Sequence, residues 1–313
     1  MEIERVTRFK HSYTLKLLII CWIFSTFNYS TFAQGFSKTF VELKYAVGGT
    51  TFLGDLGGTI GRGKRGVFDL DISSMGAHAA FGVKVNFSKQ ISCRVEASYG
   101  QLYANDAYSG DITRNLRNLH FKSDLYELTL VGVFPVYDFA NLSKKKGKGI
   151  SEVYCFAGFG VFRYNPMAEY NGTWYELRPL STEGQGFVAG SEPYSLIQAV
   201  IPMGIGFSKN IGKRISIGFE LSFRKSFTDY IDDVSDKYPD PEELRLRKGD
   251  VAVALSNRHL DNGGRIGSQR GNPNNNDNYS FIQITFNQSF GRKKAKTFNL
   301  KSLFQRVDVC PDF

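Results

Sequence analysis

A strict two-residue alternation of apolar and polar side chains is the feature that most constrains this chain. From Ile91 to Tyr99 every odd position is apolar or aromatic, while the even positions are Ser, Arg, Glu and Ser. The same period runs from Ile215 to Phe223, with Glu220 on the polar face. Successive side chains of a β-strand point to opposite faces. Each segment therefore predicts a strand that separates an apolar medium from a polar one.

Eight segments of the chain are predicted strands of this kind. They are Phe40–Gly49, Ala77–Phe87, Ile91–Tyr103, Phe121–Phe134, Val153–Tyr164, Leu196–Ser208, Ile215–Phe227 and Tyr279–Phe290. Most approach or exceed the ~9–11 residues that a tilted strand needs to cross a bilayer. An even number of antiparallel strands can close into a barrel that leaves no unpaired edge in lipid.

The lengths of the connections give an independent signal. Long connections follow the first, third, fifth and seventh strands, whereas the others are short or of middling length. Long extracellular loops and tight periplasmic turns are typical of outer-membrane barrels. The sequence therefore predicts an all-β chain, an eight-stranded antiparallel transmembrane β-barrel of the outer-membrane type, with long extracellular loops and both termini in the periplasm.

The N-terminus has the pattern of an export signal. Four basic residues precede the short apolar run Leu17–Phe27, and small residues then offer a cleavage site after Ala33. We predict a Sec signal peptide over 1–33, a barrel domain over 34–290 and a periplasmic tail over 291–313, and hence localisation in the cell outer membrane. A retained anchor helix is the alternative, but it needs ~20 apolar residues. Mean hydropathy of −0.25 argues against a bundle of membrane-spanning helices.

Polarity predicts which strand face meets lipid. An Arg facing lipid at mid-membrane costs about 2–4 kcal/mol, so the charged faces are expected to point into the lumen. The candidate lumen charge network is Arg94, Glu96, Glu127, Glu220 and Arg224. The aromatic residues expected in interfacial girdles are Tyr45, Phe87, Tyr99, Tyr103, Tyr279 and Phe290. A secreted soluble barrel with apolar residues inside is the competing interpretation.

Sequence signatures of catalysis are missing. The chain has no nucleophile elbow, phosphate-binding loop or zinc-protease motif, so we expect no enzyme, no cofactor and no metal site. The formal charge of +9 falls to +7 when the signal's four basic and two acidic residues are removed, and no basic stripe predicts nucleic-acid binding. Calcium binding by the aspartates of 229–240 is an alternative to a solvated loop there, but their spacing does not match an EF-hand.

Several motifs together resemble one family. They are FLGDLGG at 52–58, the segment 165–186 ending in TEGQG, IPMGIGF at 201–207, RKSFTDYIDDVSDKY at 224–238 and the closing Cys310-Pro311. The chain resembles the PorG-like outer-membrane β-barrel family of the type IX secretion system over nearly the whole mature sequence. The resemblance implies a non-enzymatic subunit of a protein-export machine that contacts a periplasmic ring assembly including a lipoprotein.

The expected partners are outer-membrane lipid and those ring proteins. The candidate contact residues are Lys144, Lys145, Lys146 and Lys148 in the middle turn and Cys310 in the tail. A generic barrel of the porin or adhesin type, binding outside the cell through Trp174, Tyr175 and Tyr230, remains the alternative function. An outer-membrane hydrolase is a third class, for which the sequence offers no nucleophile–base pair.

Overall fold

Nine strands form in the part of the chain that a computed structural model describes, residues 39–56, 74–88, 90–138, 152–212, 214–261 and 263–290. They are β1 (Phe40–Leu53), β2 (Gly76–Asn86), β3 (Ser92–Asn105), β4 (His120–Asp138), β5 (Glu152–Tyr170), β6 (Thr173–Glu176), β7 (Ile197–Asn210), β8 (Ile215–Ser226) and β9 (Asn278–Phe290). The predicted signal peptide (1–33) and tail (291–313) lie outside the described residues.

Eight of these strands close into an antiparallel barrel. Each pairs with the next along the chain, β5 pairs directly with β7, and β9 returns to β1 with Val41 opposite Phe290 and Leu53 opposite Asn278. The short β6 lies outside the ring and pairs antiparallel with the C-terminal end of β5. No strand of the ring is left with an open edge in the described residues. The predicted eight-stranded transmembrane barrel is confirmed.

The connections sort by length as predicted. Residues 87–91 join β2 to β3 and residues 211–214 join β7 to β8 at one end of the barrel, the short-turn end, where Asp138 of β4 also pairs with Glu152 of β5. The opposite end carries four longer connections, the outer loops L1 (54–75), L2 (106–119), L3 (171–196) and L4 (227–277). Both β4 and β5 have 19 residues, so they extend well beyond the ~9–11 needed to cross the hydrocarbon.

The described parts of the outer loops contain four short α-helices. They are α1 (Ile112–Arg117), α2 (Leu177–Leu180), α3 (Pro241–Lys248) and α4 (Asp250–Ser256). Asp240 caps α3 by accepting from the Glu242 amide, and Gly249 ends it at φ +87°, a conformation that favours glycine. Gly249 therefore separates the two helices α3 and α4. Among the described residues, no helix is both long and apolar enough to span a membrane.

The polarity of the barrel wall inverts along its length. On β3 the buried side chains are Ser92, Arg94, Glu96 and Ser98 while Val95 is 47% exposed. Beyond Gly100 the inward positions are Leu102 and Ala104, and the outward ones are Gln101, Tyr103 and Asn105. Neighbouring β4 changes in the same way, from outward Leu128 and Tyr126 to outward Asp124 and Lys122. We call the two parts the membrane half, with a polar interior, and the outer half, with an apolar interior.

The apolar interior of the outer half is the main hydrophobic core of the barrel. Leu102, Leu125, Phe162 and Phe281 pack there, and Ile231 of L4 inserts among them with no exposed surface. The prediction that Tyr279 belongs to an interfacial girdle is wrong. Its side chain is fully buried because β9 places residue 279 on the inward face, beside Phe162.

Candidate functional site

The membrane half is filled by a network of ion pairs centred on Glu220 of β8. Glu220 accepts from Lys44 Nζ at 2.7 Å and from Arg94 Nη1 at 2.7 Å. Lys44 Nζ also contacts Glu96 Oε2 at 2.6 Å, and Arg94 Nε lies 3.2 Å from the same oxygen. Tyr154 Oη donates to Glu220 at 2.7 Å. Side chains from four strands, β1, β3, β5 and β8, therefore meet across the lumen.

A second pair lies toward the outer half. Arg224 of β8 contacts Glu127 of β4 at 3.1 Å, and Tyr279 Oη donates to the other oxygen of Glu127 at 2.6 Å. The Arg224 guanidinium carbon lies 4.2 Å from the centre of the Phe281 ring, in cation–π contact. This pair connects the ion pairs of the membrane half with the aromatic residues Tyr279 and Phe281 of the outer half.

The two groups of ion pairs balance in charge. Lys44, Arg94 and Arg224 face Glu96, Glu127 and Glu220, and all six are at most 4% exposed. An eight-stranded barrel is just wide enough for its side chains to fill the interior. Removing one partner of such a buried pair leaves an uncompensated charge, so the network holds opposite walls of the barrel together.

The outer half is covered by a cap in which the two most distinctive motifs contact each other. We use "loop cap" for L2, the described parts of L1, and L3 and L4. Thr182 of the TEGQG motif donates to Asp233 of the FTDYIDDVS motif. Glu183 accepts from the backbone amides of Ser235 and Asp236 at 2.9 and 3.0 Å. The interpretation of 229–240 as a solvated loop is therefore wrong for this part of L4.

Two buried arginines connect the loops of the cap. Arg270 of L4 contacts Glu183 of L3 at 2.8 Å and donates to the Asp233 carbonyl oxygen at 2.5 Å. Arg117 of α1 contacts Asp106 at 2.7 Å and donates to the carbonyl oxygens of Arg270 and Asp55 at 2.7 and 2.8 Å. All four outer loops are thereby joined through two guanidinium groups.

Four buried aspartates of the cap, unlike Glu183 and Asp106, have no cationic partner in an ion pair among the described residues. Asp55, Asp229, Asp232 and Asp277 are at most 8% exposed, and no ion pair in the described residues involves any of them. Burial, with a contribution from nearby carboxylates, raises the pKa of Asp229 to about 8. Burial and the neighbouring aspartates also raise the pKa values of Asp232 and Asp277. Burial therefore favours the uncharged form of these carboxyls, which form no ion pair among the described residues.

The sequence-predicted site residues divide into two groups. The structure places Arg94, Glu96 and Glu220 together and Glu127 with Arg224 nearby, all inside the lumen. The predicted partner contacts Lys144, Lys145, Lys146, Lys148 and Cys310 lie outside the described residues. Trp174 and Tyr230, proposed as binding residues of the loops, both have contacts within the protein. Trp174 packs against Lys122 of β4, and Tyr230 stacks on Tyr194 of L3 with ring centres 4.7 Å apart.

Sequence reasoning missed Lys44, Tyr154 and Gln283 as partners of Glu220. Lys44 carried a usable signal, because Val41, Leu43 and Tyr45 alternate with Glu42 and Lys44. The partners from β5 and β9 had no such signal, since uncharged Tyr and Gln occur on either face of a strand.

A metal site finds no geometric support in the described part of the chain. No set of three or more His, Cys, Asp or Glu side chains there is arranged to hold a metal ion. Of the aspartates in the calcium alternative, Asp233 accepts from Tyr194 Oη at 2.6 Å and Asp240 caps α3. They serve the packing of the loops.

The chain is similar to known proteins at two levels. Among solved structures it is similar to Neisserial surface protein A (6% identity, 80% of this chain, 97% of that chain, TM-score 0.34). It is also similar to a major outer membrane protein of Thermus thermophilus (10%, 80%, 99%, 0.34) and to OprG of Pseudomonas aeruginosa (8%, 82%, 99%, 0.31). No curated protein matches the chain. The family model described as "Domain of unknown function (DUF6089)" matches residues 18–253, more than half of the sequence, and the chain therefore belongs to the DUF6089 family.

Proposed function

We propose that this barrel is a non-enzymatic outer-membrane subunit of a type IX protein secretion system. The observation that carries the proposal is the docking of TEGQG on FTDYIDDVS through Thr182, Glu183 and Asp233. The motifs behind the resemblance to PorG-like barrels are thus contact partners in one buried element, the loop cap. A likeness that includes both sides of a packed contact is stronger support than a likeness of two unrelated loops.

A structural rather than catalytic or conducting role has its own support. The charged side chains of the lumen pair with one another, as Arg94 does with Glu220, and the loop cap covers the outer mouth. Ile231 and Val234 of L4 pack into the apolar interior beneath the cap. A barrel filled in this way suits a scaffold that binds partners through its ends. The proposal accordingly includes no cofactor and no nucleic-acid partner.

The membrane orientation follows from the lengths of the connections. Outer-membrane barrels have short turns on the periplasmic side, so the short-turn end is proposed to face the periplasm and the loop cap the outside. Asp138 pairs with Glu152, and Val41 with Phe290, at that same end. The ends of β4, β5 and β9, which flank the lysine-rich segment and precede the tail, therefore lie on the side of the proposed ring proteins.

Pull-down of periplasmic ring proteins tests this role. We expect full-length barrel to recover the ring proteins, including the lipoprotein. Truncation after Gly291, and separately serine substitution of Lys144, Lys145, Lys146 and Lys148, should weaken recovery severalfold without unfolding the barrel. Serine substitution of Arg245 and Arg265, two exposed cations of L4, is the matched control and should change nothing.

Two readouts keep folding and function apart. Heat-modifiable migration on gels reports whether each variant has a closed barrel. Deletion of the gene should give a broad export defect that full-length protein restores. Unchanged ring recovery by both short-turn-end variants, or normal export in the deletion strain, would contradict the secretion role.

A generic barrel with extracellular binding loops is the second candidate. It is favoured by large apolar side chains that L2 and L4 expose, including Ile112 at 77% and Leu246 at 87%. A contiguous apolar patch on the outer loops is typical of a contact surface. This function predicts a narrow surface phenotype on gene deletion, and serine substitution of Ile112 and Leu246 should reproduce it while export continues.

A further inference from the structure

A basic pocket lies on the loop cap between L3 and L4, outside the lumen. Its volume is about 590 Å³, and it is bounded by α2, the turn that follows α2 and the C-terminal end of α3. Arg178 of α2 and Arg247 and Lys248 of α3 contribute three cationic side chains to its lining. None of the described residues that line the pocket is acidic.

The cations are positioned mainly by neutral groups. Arg178 Nε donates to the Tyr194 carbonyl oxygen at 2.7 Å, and Lys248 Nζ donates to the Pro179 carbonyl oxygen at 2.9 Å. Neither charge is cancelled by these bonds. Arg247 has a carboxylate partner, Glu243 at 3.0 Å, in an exposed pair on the same helix. The pocket therefore keeps an excess of positive charge that an anionic group would complement.

The uncharged part of the pocket lining includes ring faces and one buried amide. Phe187 is half-buried, and the Arg247 guanidinium carbon lies 5.1 Å from its ring centre. The Pro193 ring packs against Gly186, where a Cβ would lie 3.4 Å from the proline Cγ, and the φ of +88° favours glycine at this position. Gln185 is 4% exposed, and its Nε2 has no hydrogen-bond partner among the described residues. Ring faces beside a few polar groups are typical of sites for small organic ligands.

We propose that this pocket binds an acidic saccharide, a sugar unit that carries a phosphate, sulfate or carboxylate group. The anionic group lies between Arg178 and Lys248, two cationic residues of the lining. The C–H face of the sugar ring packs on Phe187, because an aromatic face is negative and attracts weakly positive hydrogens. The site is independent of the secretion role, since it lies on the end of the barrel opposite the proposed ring contacts.

Binding to the full chain in nanodiscs tests the proposal. Titration calorimetry with glucose 6-phosphate is compared with glucose and with inorganic phosphate. We expect the sugar phosphate to bind at least about tenfold more tightly than either, because it alone offers both the charge and the ring. A second arm incorporates a phosphorylated glycolipid in the nanodisc, and thereby separates a membrane source of the sugar from a soluble one. Phosphate-dependent saccharide binding in either arm supports the proposal.

Variants of the cationic residues complete the test. Arg178→Gln and Lys248→Gln together should weaken binding by about tenfold or more, since each removes a charge-assisted hydrogen bond. Lys248→Gln alone, on the exposed end of α3, gives a further variant should Arg178 prove necessary for folding of the cap. Arg245→Gln lies on the same helix but does not line the pocket, and should bind normally.

The proposal is overturned by any of four results. These are failure of both arms to show saccharide binding, equal affinity for inorganic phosphate and sugar phosphate, equal affinity for glucose and glucose 6-phosphate, and equal losses in Arg245→Gln and the pocket variants. Heat-modifiable migration and hydrogen exchange of the cap confirm that each variant compared is folded.

Discussion

The membrane half and the outer half of the barrel use the same strands but opposite rules of polarity. In the membrane half Arg94 and Glu96 point inward while Val95 points outward. Six residues further along β3, Leu102 is fully buried while Gln101 and Tyr103 face outward. The backbone alternation continues unbroken through the change. The medium around each half, hydrocarbon or water, therefore determines which face of the strand is polar. The strand geometry is the same in both halves.

The two halves also stabilise buried charge differently. Glu220 in the membrane half has two cationic partners, whereas Asp229 and Asp277 in the loop cap have none among the described residues. The raised pKa values of the buried carboxyls make the stability of the cap sensitive to pH. The barrel and its cap should therefore respond separately to mutation and to pH.

The largest effect is expected from Glu220→Ala. It leaves Lys44 and Arg94 with only Glu96 between them, so the free energy of unfolding should fall by about 3–5 kcal/mol. Urea titration in lipid vesicles, followed by gel migration, measures the change. Glu243→Ala, on exposed α3, is the matched control and should shift stability by less than about 0.5 kcal/mol. Similar effects of the two variants would show that the lumen network does not hold the walls together.

The boundary between the halves can be tested with a matched pair of arginines on β3. Val95→Arg places a charge against hydrocarbon and should cost about 2–4 kcal/mol of barrel stability. Gln101→Arg lies three outward positions further along, beside Asp124, and should be close to neutral. Vesicle unfolding again gives the two free energies. Equal costs at both positions would place Gln101 in the membrane and contradict the boundary.

The alternation of single strands was enough to predict the fold. All eight predicted strands are present, and the positions of Arg94, Glu96, Glu127, Glu220 and Arg224 on inward faces follow from the period of two. The aromatic Tyr279 was assigned to the wrong face because its neighbours Ser280 and Phe281 break the pattern. In the outer half the inward face is apolar and the outward face polar, so the rule that fits the membrane half assigns residues there to the wrong face.

The loop cap could not be predicted from local patterns. Its contacts join residues far apart in the chain, such as Arg117 with Asp55 or Glu183 with Arg270. An aspartate in a loop is usually hydrated, so FTDYIDDVS suggested solvent rather than burial. Only the apolar residues Ile231 and Val234 within that motif indicated that the segment packs inward. They are three residues apart, a spacing that fits a turn and not a strand.

The cap should open as pH rises. The folded-state pKa of Asp229 is raised to about 8 and that of Asp233 to about 6, above the ordinary value of 3.8. The stability due to the protonated form of Asp229 is therefore complete below pH ~4 and lost as pH rises through about 8. Opening should increase by up to about tenfold per pH unit in that window and level off above it. Hydrogen exchange of amides 231–236, corrected for intrinsic base catalysis, measures this opening.

Asp229→Asn separates this explanation from general loosening. The amide cannot ionise, so exchange in the cap should become flatter between pH 5 and 8, while Asp250→Asn on exposed α4 should leave the slope unchanged. Exchange in the membrane half should be the same in both variants, because neither Asp229 nor Asp250 lies there. A slope that persists in Asp229→Asn would assign the pH response to another group.

The smallest effect expected is that of Tyr194→Phe, which removes one hydroxyl from the cap. Tyr194 Oη donates to Asp233 at 2.6 Å, and its ring stacks on Tyr230 at an interplanar angle of 9°. The ring contacts survive in phenylalanine, so the opening free energy of the cap should fall by only about 1 kcal/mol. Tyr175→Phe, at a half-buried position of β6, is the control and should have no effect. Because Asp233 loses a donor to its ionised form, its pKa should rise further and the pH response of the cap should extend upward from about 6. A loss in Tyr194→Phe that also lowered barrel stability in urea would mean that cap and barrel unfold together, and the two halves would then be one cooperative unit.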